Sequence, residues 1–324
     1  MQETIFEIKE TQFEKDVRKG LTDFPKHLSS KYFYDQKGDA IFQQIMHMPE
    51  YYLTGCEYQI FKEKKYEIAQ MFAVGGQPFK LIELGAGDGK KTKVLLQEFV
   101  HQNLSFKYQP IDISHHVLEG LEKSLLEEIP QVNVVPKQGT YFEALKELSD
   151  ENRMRKIIMF LGSNIGNLLD HQAILFLKDV QKLMNTNDLL FIGCDLKKNP
   201  QTILDAYNDA SGITEAFNKN LLSRINTEMD ADFDLDEFKH WEVYNPETGT
   251  AKSYLVSKKA QKVRIGLLDL TVNFEPWETI HTEISQKYDD TSMKRLAQES
   301  GLEICDEFTD EQRYFKNYVL KTVR

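Results

Sequence analysis

An α/β fold built on a parallel sheet is what this sequence predicts, and two observations predict it. Short apolar runs alternate with longer amphipathic segments between residues 80 and 196. Strands that alternate with helices of this length pack into a sheet with helices on both faces. The first apolar run ends in a glycine-rich turn, the joint at which a strand of such a sheet hands over to its helix.

Taken in order, KLIEL (80–84) is the first strand and KTKVLLQEFV (91–100) the helix after the turn. FKYQPIDI is a strand, VLEGLEKSLLEEI a helix, and VNVVPKQG and KIIMFLGSN are strands. AILFLKDVQKLM is a helix and DLLFIGCDL a strand. Strands alternating with helices of this length give a parallel sheet with helices on both faces, a Rossmann-like domain.

After about residue 197 the alternation loses its clarity. Residues 200–230 read as helical, and 238–288 hold three short alternating runs, EVYNP, KSYLVSK and KVRIGLLDLTVNF. An antiparallel sheet is expected there, with turns such as NPETG. SMKRLAQESGLEICDEFTD and YFKNYVLKTV return to helix and then strands. Residues 1–60 mix helical stretches with the aromatic clusters KYFYDQKGDAIFQQI and MPEYYLTGCEYQIF, where Glu57, Ile60, Phe61 and Lys64 begin an amphipathic helix. The expected division is a Rossmann-like domain, 61–196 plus 287–324, and a smaller α+β substrate domain, 1–60 plus 197–286.

Composition narrows the function. The 324 residues suit two domains. A formal net charge of −11 without a basic tract disfavours nucleic acid, whose binding rests on Lys and Arg neutralising phosphates. Cys56, Cys194 and Cys305 are far apart and form neither a disulfide framework nor a zinc pattern. His115 and His116 are adjacent, and neighbours on a helix diverge by about 100°, a poor chelate. No metal is expected. The charged N-terminus lacks an apolar signal core, and no apolar run reaches the roughly 18 residues of a membrane span. A cytoplasmic monomer with a small-molecule substrate, away from membranes, is the expectation.

The most informative stretch is Glu83-Leu84-Gly85-Ala86-Gly87-Asp88-Gly89, at the carboxyl end of the first strand. Ligands of open α/β sheets bind at such ends. A dinucleotide fingerprint needs glycine where Lys90 stands, and a phosphate-binding loop needs it where Leu84 stands. The ExGxGxG spacing suits S-adenosylmethionine instead. Asp112 closes the next strand, where a carboxylate accepts both ribose hydroxyls of a nucleoside. It can also cap the helix that begins at SHHVLEGL, and the two roles are compatible.

The sequence also resembles one family closely: the histidine Nα-methyltransferases of ergothioneine biosynthesis, which make the trimethyl betaine hercynine. The resemblance runs through KYFYDQKG, MPEYYLTGCE, LIELGAGDGKKT, FLGSNIGNL, DAYNDASGITEAFNKNLL, ADFDLDEFKH, VRIGLLDLTVNF and TEISQKY. It implies a class I methyltransferase domain and S-adenosylmethionine as cofactor. Gly85, Lys91 and Asp112 match the family's cofactor contacts. Thr140 and Tyr141 match a pair that is usually an acid and a phenylalanine; the acid that would accept a hydrogen bond from adenine is missing here. Tyr51, Asn167 and Tyr207 match the residues that hold the amine and carboxylate of the amino acid. Glu283 and Ser285 match the pair on the imidazole, and Tyr34 matches a catalytic-site tyrosine close to the reacting amine. Ser253 stands where the histidine-selective pattern has methionine, which makes the pocket larger or wetter.

Each residue also has a plainer reading. Asn167 can cap a helix, Glu283 can face solvent from a strand, and Tyr51 and Tyr207 can be half-buried aromatics. The motifs around them favour function jointly. In-line methyl transfer needs a neutral amine about 3 Å from the methyl carbon, and such positioning is worth on the order of 7–11 kcal/mol. Tyrosine faces suit the fixed cation that successive methylations produce. Two alternatives stand beside histidine: another small amine such as tryptophan or a histidine derivative, and a protein that binds S-adenosylmethionine without catalysis. Related fungal enzymes methylate tryptophan derivatives.

Overall fold

A computed structural model describes residues 10–141, 143 and 154–323. The charged N-terminal stretch read above, residues 1–9, lies outside the described residues. The first strands are β1 (Lys26–His27), β2 (Phe79–Leu84), β3 (Phe106–Asp112), β4 (Lys137–Gln138), β5 (Arg155–Phe160) and β6 (Leu189–Asp195). Then come β7 (Phe238–Asn245), β8 (Thr250–Ser257), β9 (Gln261–Ile265), β10 (Leu270–Phe274), β11 (Thr279–Gln286), β12 (Leu302–Thr309) and β13 (Phe315–Thr322).

The chain forms two compact units. One comprises Tyr51–Pro200, Pro246–Thr250 and Ser285–Arg324. It holds a seven-stranded sheet in the order β12-β13-β6-β5-β2-β3-β4. Strands β2 to β6 run parallel, while β13 is antiparallel to both β6 and β12. From β2 the chain moves outward to β3 and β4, then returns to place β5 on the other side of β2. Strand order reverses there, and ligands of open α/β sheets bind at such a switch point, outside the carboxyl ends of the strands. This is the Rossmann-like domain that the sequence predicts.

Both faces of the sheet are buried, for a reason written in the strands. Leu81, Ile157, Met159 and Phe191 join one hydrophobic cluster with Phe61, Phe72 and Phe99. Their strand neighbours Ile82, Leu84, Ile158, Phe160, Leu190 and Ile192 join a second with Phe176 and Leu177. Side chains alternate across a strand, so near-continuous apolar runs feed two cores at once.

Three local expectations are corrected. The unit begins at Tyr51 and not at 61, because one helix, Tyr52–Phe72, runs through that boundary. Its buried Leu53, Cys56 and Ile60 share a core with Phe61 and Phe72, so no break is possible there. Likewise residues 197–200, 246–250 and 285–286 belong to this unit. The VNVVPKQG run supplies only β4 and a single parallel bridge from Val134 to Tyr108. Pro136 interrupts it, since proline has no N–H to donate to a ladder.

The other unit comprises Met1–Glu50, Gln201–Asn245 and Ala251–Ile284. Its sheet has the order β1-β11-β8-β7, with β1 parallel to β11. The KVRIGLLDLTVNF run does not join that sheet. It folds at Gly266–Leu268 into the antiparallel pair β9 and β10. The helix Ile213–Met229 buries Phe217, Leu221, Leu222 and Ile225. Its first turn is fixed by Asp209, which accepts the N–H groups of Ile213 and Thr214 at 3.0 and 2.8 Å. Among the described residues no helix is long and apolar enough to cross a membrane.

Candidate cofactor and substrate site

The glycine loop follows β2 at the switch point. Gly85 has φ +73°, and a Cβ built on it would lie 2.8 Å from the Tyr141 hydroxyl and 3.0 Å from Asn164 Nδ2. Backbone conformation and space both require glycine there. At Gly87 a Cβ would meet nothing within 4 Å, so the loop borders open space. Asp112, at the end of β3, accepts the Gly87 N–H through Oδ2 at 3.0 Å. Its Oδ1 accepts the Ser114 N–H at 3.0 Å. Burial raises its carboxyl above the usual carboxylate range, against the backbone donors that lower it. The helix His115–Glu128 is capped by Ser114 and not by Asp112, whose Oδ2 faces the loop. These residues fit an adenosine moiety: open space before glycine, and an acceptor carboxylate for its ribose.

Glu83, two residues before Gly85, is fully enclosed. It accepts the Thr92 hydroxyl at 2.7 Å and the Tyr108 hydroxyl. Burial pushes its carboxyl up to about 7. It ties β2 to β3 and to the helix Lys90–His101. Tyr141 is half-buried, with its ring edge-on to Phe160 at 5.0 Å. Thr140 donates its hydroxyl to Glu143 at 2.8 Å and its N–H to the same oxygen at 2.9 Å, so its side chain caps a turn.

Lys91 is ion-paired with Glu57, whose side chain has no exposure. Glu57 also accepts the Gly162 N–H and the Asn317 amide, each at 2.8 Å. A second buried network sits at the carboxyl ends of β5 and β6. Asp195 accepts the Tyr52 hydroxyl at 2.9 Å and pairs with Lys198 and, at 2.8 Å, with Lys287. Burial lowers the pKa of Lys198, while Asp195 beside it raises it. Lys287 donates to the Ser285 hydroxyl at 2.8 Å. Asn167 ends the turn Asn164–Asn167, and a Cβ on its neighbour Gly166 would lie 2.8 Å from the Gln286 carbonyl. Asn167 and Ser285 are thus brought into one neighbourhood. Tyr51 precedes the helix that carries Tyr52 and Glu57.

The remaining candidates belong to the other unit. Tyr34 stands edge-on to Phe42 and Phe217, with centroids 5.6 and 5.8 Å away. Tyr207 ends the helix Pro200–Tyr207, and its carbonyl accepts from His240 Nε2 at 3.0 Å. Glu283 is half-buried on β11, with Ser253 Oγ 3.5 Å from its Oε2. Ser253 donates to Glu242 at 2.6 Å. Sequence reasoning missed Tyr52, Asp195, Lys198, Lys287 and Glu242, and kept Glu57 only as part of a helix face. Asp195 had a signal, its place at the carboxyl end of a buried strand, and Glu57 had one in closing the MPEYYLTGCE motif; Glu242 had none.

Comparison with known proteins follows the same line. Residues 13–322 match a family described as histidine-specific, S-adenosylmethionine-dependent methyltransferases. The histidine N-alpha-methyltransferase of Mycolicibacterium smegmatis is 36% identical over 296 residues, 91% of this chain and 90% of that protein. The Mycobacterium tuberculosis protein of the same name is 35% identical over 297 residues, 92% of this chain and 91% of its own. Ergothioneine biosynthesis protein 1 of Schizosaccharomyces pombe is 28% identical, and the match covers 90% of this chain but 38% of that protein. With the loop, the strand-end acid and a family match along nearly its whole length, the chain belongs to the histidine-specific, S-adenosylmethionine-dependent methyltransferases.

Proposed function

We propose that this enzyme methylates the α-amino group of free L-histidine with S-adenosylmethionine, repeating the transfer to the trimethyl betaine in ergothioneine biosynthesis. The observation that carries the cofactor half is the Asp112 carboxylate, tied to Gly87 at the sheet's switch point. Histidine is supported by Glu283, a half-buried acceptor on a strand within the family match.

Gly85, Asp112 and Tyr141 hold the cofactor, with Asp112 on the ribose. Lys91 supports that site through Glu57, and Thr140 by capping the adjoining turn. When bound, the cofactor supplies an electrophilic methyl group on a sulfonium. Tyr51, Asn167 and Tyr207 bind the amine and carboxylate of the amino acid. Glu283 accepts a ring N–H, and Ser285 serves the other ring nitrogen. Tyr34 orients the amine and presents an aromatic face to the growing cation. The substrate is a free amino acid met in the cytoplasm, and a single chain is the working unit, which sedimentation at working concentration would check.

Incubation with histidine and S-adenosylmethionine, followed by fragmentation in a mass spectrometer, tests the reading. Three methyl groups on the α-nitrogen are expected. Methyl groups on a ring nitrogen would overturn it.

A further inference from the structure

We propose that Glu242 is a positioning residue for the ring-binding acid: it takes the Ser253 hydroxyl hydrogen and so keeps that hydrogen off Glu283. The inference rests on the reading of Glu283 as acceptor for the histidine ring.

Strand β7 alternates, with Phe238, His240 and Glu242 turned to the buried face and Lys239, Trp241 and Val243 to the exposed one. Glu242 is 8% exposed and Ser253, on the neighbouring β8, 1%. Ser253 Oγ lies 2.6 Å from Glu242 Oε2 and 3.5 Å from Glu283 Oε2. A hydroxyl has one hydrogen to give. A separation of 2.6 Å is a short, well-formed O–H···O hydrogen bond, whereas 3.5 Å is at the outer limit of any hydrogen bond. The hydrogen therefore lies on Glu242, and Ser253 turns only a lone pair toward Glu283. The backbone is held while this choice is made, because the Thr282 hydroxyl, one residue before Glu283, donates to Asn218 Oδ1 at 2.6 Å.

The consequence is specific to this chain. A buried serine beside the recognition acid competes with a substrate N–H for the same carboxylate. Glu242 removes the competitor. Without it, the hydroxyl swings to Glu283 Oε2, and an incoming ring N–H is left the other oxygen of a carboxylate already weakened as an acceptor by one donor. Substrates whose rings carry no N–H do not feel the difference.

The test is steady-state kinetics with histidine and with phenylalanine on the wild type, Glu242→Met and Glu242→Met/Ser253→Ala. Loss of Glu242 is expected to raise the histidine KM about tenfold while kcat stays within about twofold, with the relative rate on phenylalanine not reduced. Removing the Ser253 hydroxyl from that variant is expected to restore most of the histidine KM, which a merely structural role for Glu242 would not allow. An unchanged KM in Glu242→Met, or a double variant no better than the single, overturns the proposal. If the methionine variant melts early, Glu242→Gln is read the same way, because a neutral amide oxygen holds the hydroxyl less tightly. A smaller rise, again reversed by Ser253→Ala, is expected, and no rise overturns it. A wild-type enzyme inactive on histidine overturns the functional reading itself, and this inference with it.

Discussion

Lys91 is anchored by Glu57, a carboxylate with no exposure that also accepts the Gly162 N–H and the Asn317 amide. The network joins four segments of the nucleotide-binding unit: the helix Tyr52–Phe72, the helix after the glycine loop, the turn after β5, and β13. A Cβ on Gly193 would lie 2.1 Å from Glu57 Oε1, so the carboxylate fills its site completely.

Glu57→Ala is therefore expected to destabilise the fold by about 3–5 kcal/mol, the range for removing one partner of a buried pair. Cofactor affinity should fall with it, because Lys91 and Gly162 both lose their anchor. Chemical denaturation with and without S-adenosylhomocysteine measures both. An unchanged midpoint would mean that water replaces the carboxylate without cost.

Asp112 gives a sharper separation of stability from binding. Its carboxylate accepts backbone N–H groups, those of Gly87 and Ser114 among them, and burial raises its pKa. Asp112→Ala should weaken S-adenosylmethionine binding tenfold or more, taking about 1.5–3 kcal/mol for a charged acceptor. The melting temperature should move little, since the Gly87 N–H left unpaired lies in a loop that borders open space. Calorimetry on a normally folded variant decides it, and undiminished affinity would remove Asp112 from the ribose.

What was legible follows from how far each signal reaches along the chain. The sheet was legible because strands buried on two faces keep apolar runs intact, as in KIIMFLGSN. The loop and Asp112 were legible because a strand end fixes where each must stand. The role of Glu57 was not, since its partners Lys91, Gly162 and Asn317 are distant in sequence and closing a motif does not mark a carboxylate as buried. Glu242 was hidden in the same way, being one charged residue in an alternating strand. The unit boundaries were blurred because the chain passes repeatedly between the units, once inside β11 between Ile284 and Ser285.

Glu83 gives the enzyme a pH dependence of known sign. Burial raises its carboxyl from 4.5 to about 7 in the folded protein. Between those values the native state holds a proton that the unfolded chain has released. The contribution to stability is complete below 4.5 and is lost as pH rises through about 7. Glu83→Gln cannot titrate, so the difference in melting temperature between wild type and variant should shift in the variant's favour across that window. A difference constant from pH 4.5 to 8 would show that Glu83 is ionised throughout.

Glu283 carries the substrate assignment, and replacing it should change specificity before it abolishes chemistry. A carboxylate that accepts a ring N–H contributes roughly 1.5–3 kcal/mol, about ten- to a hundredfold in affinity. The proposed amine and carboxylate clamps, Tyr51, Asn167 and Tyr207, come from other segments and should survive. Glu283→Ala is thus expected to lose histidine efficiency by that factor. The gain on larger aromatic rings depends on Ser253. Its small size makes room, but its hydroxyl is bonded to Glu242 at 2.6 Å, so the vacated space stays lined by a buried carboxylate. Tryptophan and phenylalanine should therefore improve relative to histidine in Glu283→Ala, and improve further when Glu242 is also made apolar. Measuring kcat/KM for the three amino acids on the wild type and both variants decides it. An unchanged ratio of histidine to tryptophan efficiency in Glu283→Ala would make Glu283 an ordinary strand residue, and histidine would lose its strongest structural support.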